Sequence, residues 1–225
     1  MARGKLIVFE GAEGAGKTTQ LRLLAERLAS RGVDCVTVRE PGGTPVGDLM
    51  RTLLLDPEAS ICPPAEALLF MASRAELVAR ELRPKLSAGK VIIVDRFFLS
   101  TYAYQVVGRG LPEEDVRAAN RLATGGLVPD LTILLEVPVA LGMERADSRG
   151  ARDRMERSGD DFHARVSQAF ALFTSSDWQS AHPECGPIVR VDSTGPEETV
   201  FGGVAGALID RLPETFSVLK EFQNR

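Results

Sequence analysis

An α/β fold built on a parallel sheet is predicted by three features of this sequence. Short apolar, β-branched runs alternate with longer stretches of helical periodicity. Three of the runs are nearly continuous in apolar residues, as strands buried on both faces require. Several helical stretches open on proline, the favoured first helical position. In chain order, the strands are expected at Leu6–Glu10, Val33–Val38, Val91–Asp95, Leu131–Val137 and Ile188–Val191. Helices are expected at Lys17–Ser30, Pro45–Leu55, Pro64–Ser87, Phe97–Val107, Pro112–Thr124, Pro138–Ser148, Asp160–Ala181 and Pro196–Leu212. In such a fold, ligands bind at the carboxyl ends of the strands. No internal repeat or low-complexity linker interrupts the pattern, so one domain over 1–225 is expected. Residues 213–225 read as a terminal helix or a frayed tail.

Composition narrows the function. The 225 residues are 44% hydrophobic and 26% charged, with a net charge of −4. That balance gives no support to a nucleic-acid or membrane-surface partner. The three cysteines are far apart, only two histidines occur and there is no C-x-x-C. A disulfide framework or a Cys/His metal site is therefore not expected. The N-terminus runs directly into the first strand, with no room for a signal peptide, and no apolar run approaches membrane-spanning length. A cytoplasmic location is the expectation.

Chemistry enters with Gly11-Ala12-Glu13-Gly14-Ala15-Gly16-Lys17-Thr18, which fits the phosphate-binding loop G-x-x-x-x-G-K-[ST]. It follows an apolar strand and opens a helical pattern, the context the motif needs. Its glycines let backbone N–H groups converge on phosphate oxygens. The helix N-terminus and Lys17 add positive charge, and the Thr18 hydroxyl can ligate Mg²⁺. A nucleoside triphosphate is the expected ligand.

Three further constellations are weaker alone. At Asp95-Arg96-Phe97, a strand-end carboxylate beside a P-loop can hold Mg²⁺, and the arginine offers a planar fork to phosphate. A plain helix cap with a surface arginine would look the same. Phe70 and Arg74 are four residues apart on one helical face, able to stack on and bond a flat heterocycle. A separate stripe, Leu68, Met71, Ala75, Val78 and Leu82, is expected to face the core. Finally, 145–157 carries five arginines against three acids, with Gly150 as a hinge. It reads as a lid over transferring phosphate, or as a solvated charged helix.

Taken together these segments resemble thymidylate kinases. The resemblance runs from about Lys5 to Leu212. Its motifs are Phe9 to Thr19, Arg39-Glu40-Pro41-Gly42-Gly43-Thr44, Leu69-Phe70 through Ser73-Arg74, Asp95 through Gln105, Gly108-Arg109-Gly110 and Asp153-Arg154-Met155-Glu156. The Asp95–Gln105 segment is the specific one, since P-loops occur in many families. The resemblance implies a P-loop nucleoside monophosphate kinase fold with five parallel strands and a mobile lid at about 142–157. It implies ATP-dependent phosphorylation of dTMP, with Mg²⁺, by a homodimer.

It also implies roles. The loop Gly11 to Thr19, including Gly14, Ala15, Gly16, Lys17 and Thr18, would hold ATP. Glu13 would contact the deoxyribose 3′-hydroxyl, Phe70 would stack on thymine and Arg74 would bond its exocyclic oxygen. Ser100 and Gln105 would line the base pocket, and Tyr104 would disfavour ribonucleotides. Arg96 would engage the acceptor phosphate, with Arg39 beside it, and Asp95 and Thr18 would serve the metal. With no arginine in the P-loop, the catalytic arginine would come from the lid: Arg154, with Arg149 or Arg152 as alternates. Residues around Asp192-Ser193-Thr194 resemble the loop beside adenine. Competing readings are another P-loop kinase, a slow nucleotide-hydrolysing switch and a catalytically idle interaction protein. The attacking phosphate oxygen is already anionic near neutral pH, so no general base is required.

Overall fold

A computed structural model of the chain describes residues 3–147 and 153–223. Five parallel strands form one sheet in the order β2-β3-β1-β4-β5. They are β1 (Leu6–Glu10), β2 (Cys35–Arg39), β3 (Val91–Asp95), β4 (Leu131–Glu136) and β5 (Ile188–Asp192). Along each strand, side chains alternate between two cores. Leu6, Val8, Ile92, Val94 and Leu134 point to one face. Ile7, Phe9, Ile93, Ile133 and Leu135 point to the other.

The second face is covered by α1 (Lys17–Ser30) and α10 (Glu197–Arg211). The first is covered by α3 (Pro63–Leu77) with its continuation α4 (Arg83–Ser87), by α5 (Phe98–Thr101) and by α8 (Asp160–Leu172). The remaining helices are α2 (Pro45–Leu55), α6 (Glu113–Thr124), α7 (Val139–Asp147), α9 (Ser176–Ala181) and the short α11 (Pro213–Phe216). The parallel α/β architecture agrees with the sequence reading. Among the described residues, no helix is long and apolar enough to cross a membrane.

Several boundaries differ, each for a local reason. The second strand starts at Cys35, not Val33, because the Val33 N–H closes the end of α1 on Leu28 O at 3.0 Å. The long helix expected from 64 to 87 widens into a π-helical turn at Val78–Leu82. Pro84 follows at once, and its missing N–H and its ring disturb the α-helical ladder there. The helix after Asp95 likewise becomes a π-helical turn over Tyr102–Gly108, with Arg109 N–H bonded to Tyr104 O. The helix expected from 160 to 181 breaks at Ser175, whose hydroxyl caps α9 by accepting from Trp178 N.

Leu68 is also corrected. It is 62% exposed, while Glu66 and Ala67 take the buried side of α3. That face is turned to bring charged groups inward, a choice apolar periodicity cannot register. The C-terminal segment is ordered into α11 and a 3₁₀ turn, Ser217–Phe222. Phe216 and Leu219 are fully buried there, and Arg27 lies between the rings of Phe201 and Phe222.

Candidate active site

The strand order puts β1 between β3 and β4, so the P-loop leaves the middle of the sheet. Register then aligns Phe9 with Asp95 and Asp95 with Arg39. Three strand ends thus deliver the P-loop, Asp95 and Arg39 side by side. They open into a cavity of about 750 Å³ lined by, among others, Glu13, Lys17, Thr18, Arg39, Phe70, Arg74, Arg96, Ser100, Tyr104 and Gln105. That size suits small-molecule ligands. The sequence-predicted residues of the P-loop, the Asp-Arg turn and the base site therefore converge on one space.

At the phosphate end the backbone does most of the shaping. Gly11, Gly14 and Gly16 all have positive φ. A Cβ at Gly14 would lie 1.9 Å from the carbonyl oxygen of Gly142 in α7, and a Cβ at Gly142 would lie 2.6 Å from Glu13 O. Loop and helix therefore meet backbone to backbone. Lys17 Nζ donates to Gly11 O and Ala12 O at 3.0 and 2.9 Å. Burial, with Arg96 nearby, pulls the Lys17 pKa down to about 8.

Thr18 Oγ1 lies 3.4 Å from Asp95 Oδ2. Asp95 Oδ1 is buried with no hydrogen-bond partner. An orphaned carboxylate oxygen beside a hydroxyl, at the mouth of a phosphate cradle, suits a hard divalent cation. Mg²⁺ takes few protein ligands and completes its shell with phosphate and water.

Arg96 is the one non-glycine residue among those described with positive φ, at 69°. Such backbone is costly and persists only where its surroundings hold it. The holding is visible. Arg96 N–H bonds Phe9 O, and its Nη1 donates to Gly11 O and Ser100 Oγ. Its Nη2 faces Glu13 Oε2 at 3.4 Å, and the guanidinium lies over the Tyr104 ring. Behind it, fully buried Glu10 accepts from Phe97 N, Ser100 N and Ser100 Oγ at 2.6–3.1 Å. Glu10 thereby caps the turn that aims Arg96.

Arg51 of α2 also lines the cavity and donates to Pro41 O. Burial and the adjacent Arg39 lower its pKa. Two guanidiniums sharing one pocket wall suit an anion between them.

The other end, where a base is expected, is made by side chains. Arg74 is 2% exposed and fully engaged. Its Nε and Nη2 bind Glu40, Nη1 reaches Thr101 Oγ1 and Asn120 Oδ1, and Nη2 also reaches Phe97 O. Phe70 lines the same cavity. Gln105 Nε2 donates to Glu66 Oε1 at 3.1 Å. Fully buried Glu66 also takes both Arg109 Nε and Nη2, and Arg154 Nη1 at 2.7 Å. Burial opposes its ionisation, but the bonds from Arg109 and Arg154 prevail and hold its pKa below the usual carboxylate value.

Arg154 is accordingly not brought into the cavity with the others. Its Nε binds Leu54 O, and its own N–H binds Leu55 O. The alternates Arg149 and Arg152, and the hinge at Gly150, lie outside the described residues. From the same segment Arg145, Asp153, Met155 and Glu156 do line the cavity. Arg145 donates to Ser193 O and Thr194 O, while Ser193 Oγ donates to Ala15 O. The Asp192-Ser193-Thr194 loop thus sits against the P-loop.

Sequence reading missed Glu10, Arg51, Glu66 and Asn120. For Glu66 a signal existed: Glu66, Phe70 and Arg74 recur every four residues on one helical face.

Comparison with known proteins points to one family. A family model described as thymidylate kinase matches residues 9–181. A thymidylate kinase of Deinococcus radiodurans is 43% identical over 211 residues, covering 94% of this chain and 99% of the relative. One from a Synechococcus species is 44% identical, covering 92% and 95%. One from Thermosynechococcus vestitus is 40% identical, covering 97% and 92%.

Proposed function

From the premise that this chain belongs to the thymidylate kinase family, we infer that it transfers the γ-phosphoryl group of ATP to dTMP, giving dTDP and ADP. The observation that carries the reading is the two-ended cavity. A P-loop cradle at one end and a pocket lined by Phe70, Arg74 and Gln105 at the other share one space. A nucleotide switch has no use for the second end. The reaction serves nucleotide biosynthesis.

A phosphate oxygen of dTMP attacks the γ-phosphorus in line, and the bond to the β–γ bridging oxygen breaks. Lys17 and the P-loop N–H groups hold the ATP phosphates. Arg96, Arg39 and Arg51 hold the acceptor phosphate and draw charge from the attacking side. Their work is positioning and charge neutralisation. Asp95 and Thr18 would hold Mg²⁺, which supplies Lewis-acid neutralisation of the transferring phosphate. Phe70 stacks on the base, Tyr104 crowds the 2′ position and Glu13 faces the sugar. Arg154 joins the transition state when the lid closes, which requires it to leave Glu66.

Homodimerisation is part of the reading. Leu49 and Leu53 of α2, Leu68 of α3 and Leu122 of α6 are exposed on helices that pack in sequence, α2 on α3 and α3 on α6. The cysteines Cys35, Cys62 and Cys185 are all free, in keeping with a cytoplasmic site of action.

The test is ADP release with ATP and Mg²⁺ against dTMP, dUMP, dCMP, dGMP, AMP, UMP and thymidine in parallel. Turnover concentrated on dTMP is expected. Equal or better turnover on a different monophosphate would overturn the substrate assignment and leave the P-loop chemistry standing.

A further inference from the structure

The base end of the cavity has polar side chains, but most are already committed. All five N–H donors of Arg74 are taken by Glu40, Thr101, Asn120 and Phe97 O. Ser100 Oγ gives its proton to Glu10 and accepts from Arg96. Thr101 Oγ1 accepts from Arg74 and turns its proton toward Phe97 O. Gln105 is different. Its Nε2 is bound to Glu66, and its Oε1 accepts no hydrogen bond from any described residue. Gln105 is 2% exposed and lines the cavity.

Which end of that amide faces the ligand is decided by Glu66. An amide can turn over, exchanging its donor and acceptor ends, so its orientation follows its partners. Glu66 has one oxygen in each of two sets of contacts. Oε2 takes Arg109 Nη2 and Arg154 Nη1, while Oε1 takes Arg109 Nε and Gln105 Nε2. Arg109 donates to both oxygens and keeps this carboxylate an acceptor whether or not Arg154 is bound. The amide must therefore show it the NH₂ group, leaving the carbonyl oxygen for the cavity.

We propose that Glu66 sets the base selectivity of the pocket by locking the Gln105 amide with its oxygen toward the ligand. The proposal rests on the dTMP reading and deepens it. A pocket that presents an acceptor selects a base with an N–H on its pairing edge. Thymine carries one at N3. Cytosine has a bare nitrogen acceptor there, and two facing acceptors repel and leave both unpaired. Glu66 touches no substrate; it is a positioning residue acting through Gln105.

The test is the ratio of kcat/KM for dTMP to that for dCMP, measured on the unaltered protein and on E66Q. In E66Q the arginines claim the new amide's oxygen, its NH₂ turns to Gln105, and Gln105 must reverse. The dTMP-to-dCMP ratio should then fall on the order of 100-fold, with dCMP turnover rising in absolute terms. A merely structural role for Glu66 would lower both substrates in parallel, and an unchanged ratio overturns the proposal. If E66Q does not fold, Q105M decides. It removes the amide oxygen at similar volume, and the same fall in ratio is expected. A preserved ratio in Q105M overturns the proposal equally. Failure of the underlying reading looks different: the unaltered protein itself would turn over dTMP no better than dCMP.

Discussion

The two ends of the cavity are built from different materials. At the phosphate end, the wall of the cavity is shaped by main chain whose conformation is set by glycines and by the strained Arg96, with Lys17, Arg39, Arg51 and Arg96 projecting from it. At the other end, the lining side chains Arg74 and Gln105 are locked by buried carboxylates, Glu40 and Glu66, and Glu66 also holds Arg109 and Arg154 outside the cavity. The contrast teaches where function and stability separate. At the phosphate end, removing a side chain is expected to cost activity more than fold, because the glycine-set main chain remains. At the base end the side chains that line the cavity are braced by buried carboxylates that also hold the fold.

The largest expected effect is at the phosphate end. Arg96→Ala should lower kcat by about 10⁴ while thermal unfolding shifts by only a few degrees, since the main-chain bond to Phe9 O and the Glu10 cap of the turn remain to hold the backbone. Near-normal turnover would break the assignment, and loss of folding would break the contrast. Arg154→Ala should lower kcat by about 10³ with little change in KM. A kcat near that of the unaltered protein would leave Arg154 as a strut on Glu66 only.

At the base end the order reverses. Glu40→Ala leaves the Arg74 guanidinium buried without its two-point partner and should cost about 3–5 kcal/mol of stability in urea unfolding. A cost under about 1 kcal/mol would show that charge does not hold this end. The smallest effect is pH-dependent. The folded pKa of Glu66 lies below its ordinary value of 4.5. Its contribution is therefore full above that value and is lost as pH falls through the lower, folded one. Melting curves between pH 6 and 3 should fall more steeply for the unaltered protein than for E66Q. Parallel curves would remove Glu66 from the acid limb.

This division also explains what could be read in advance. The P-loop, Asp95-Arg96 and the alternation of strands and helices each lie in one contiguous segment, so spacing alone exposes them. The network on Glu66 joins partners 39, 43 and 88 residues away. No local pattern marks such pairings. The same blindness misplaced Leu68 in the core, because apolar periodicity assigns helix faces without asking where a buried carboxylate must go. Phe70 and Arg74 were visible as a pair through their spacing, but Arg74's full set of internal partners was not. Arg154 stood out in an arginine-rich segment; its bond to Glu66 did not.

The backbone contact between Gly14 and Gly142 restricts how this sequence can vary. A side chain at either position collides with main-chain atoms on or beside the other, and no second substitution can shrink a carbonyl. The two positions are therefore closed to compensating change, unlike a pair of core side chains that can trade volume. Selection from a library randomised at both should return glycine at each, and drift in this protein has to pass around them.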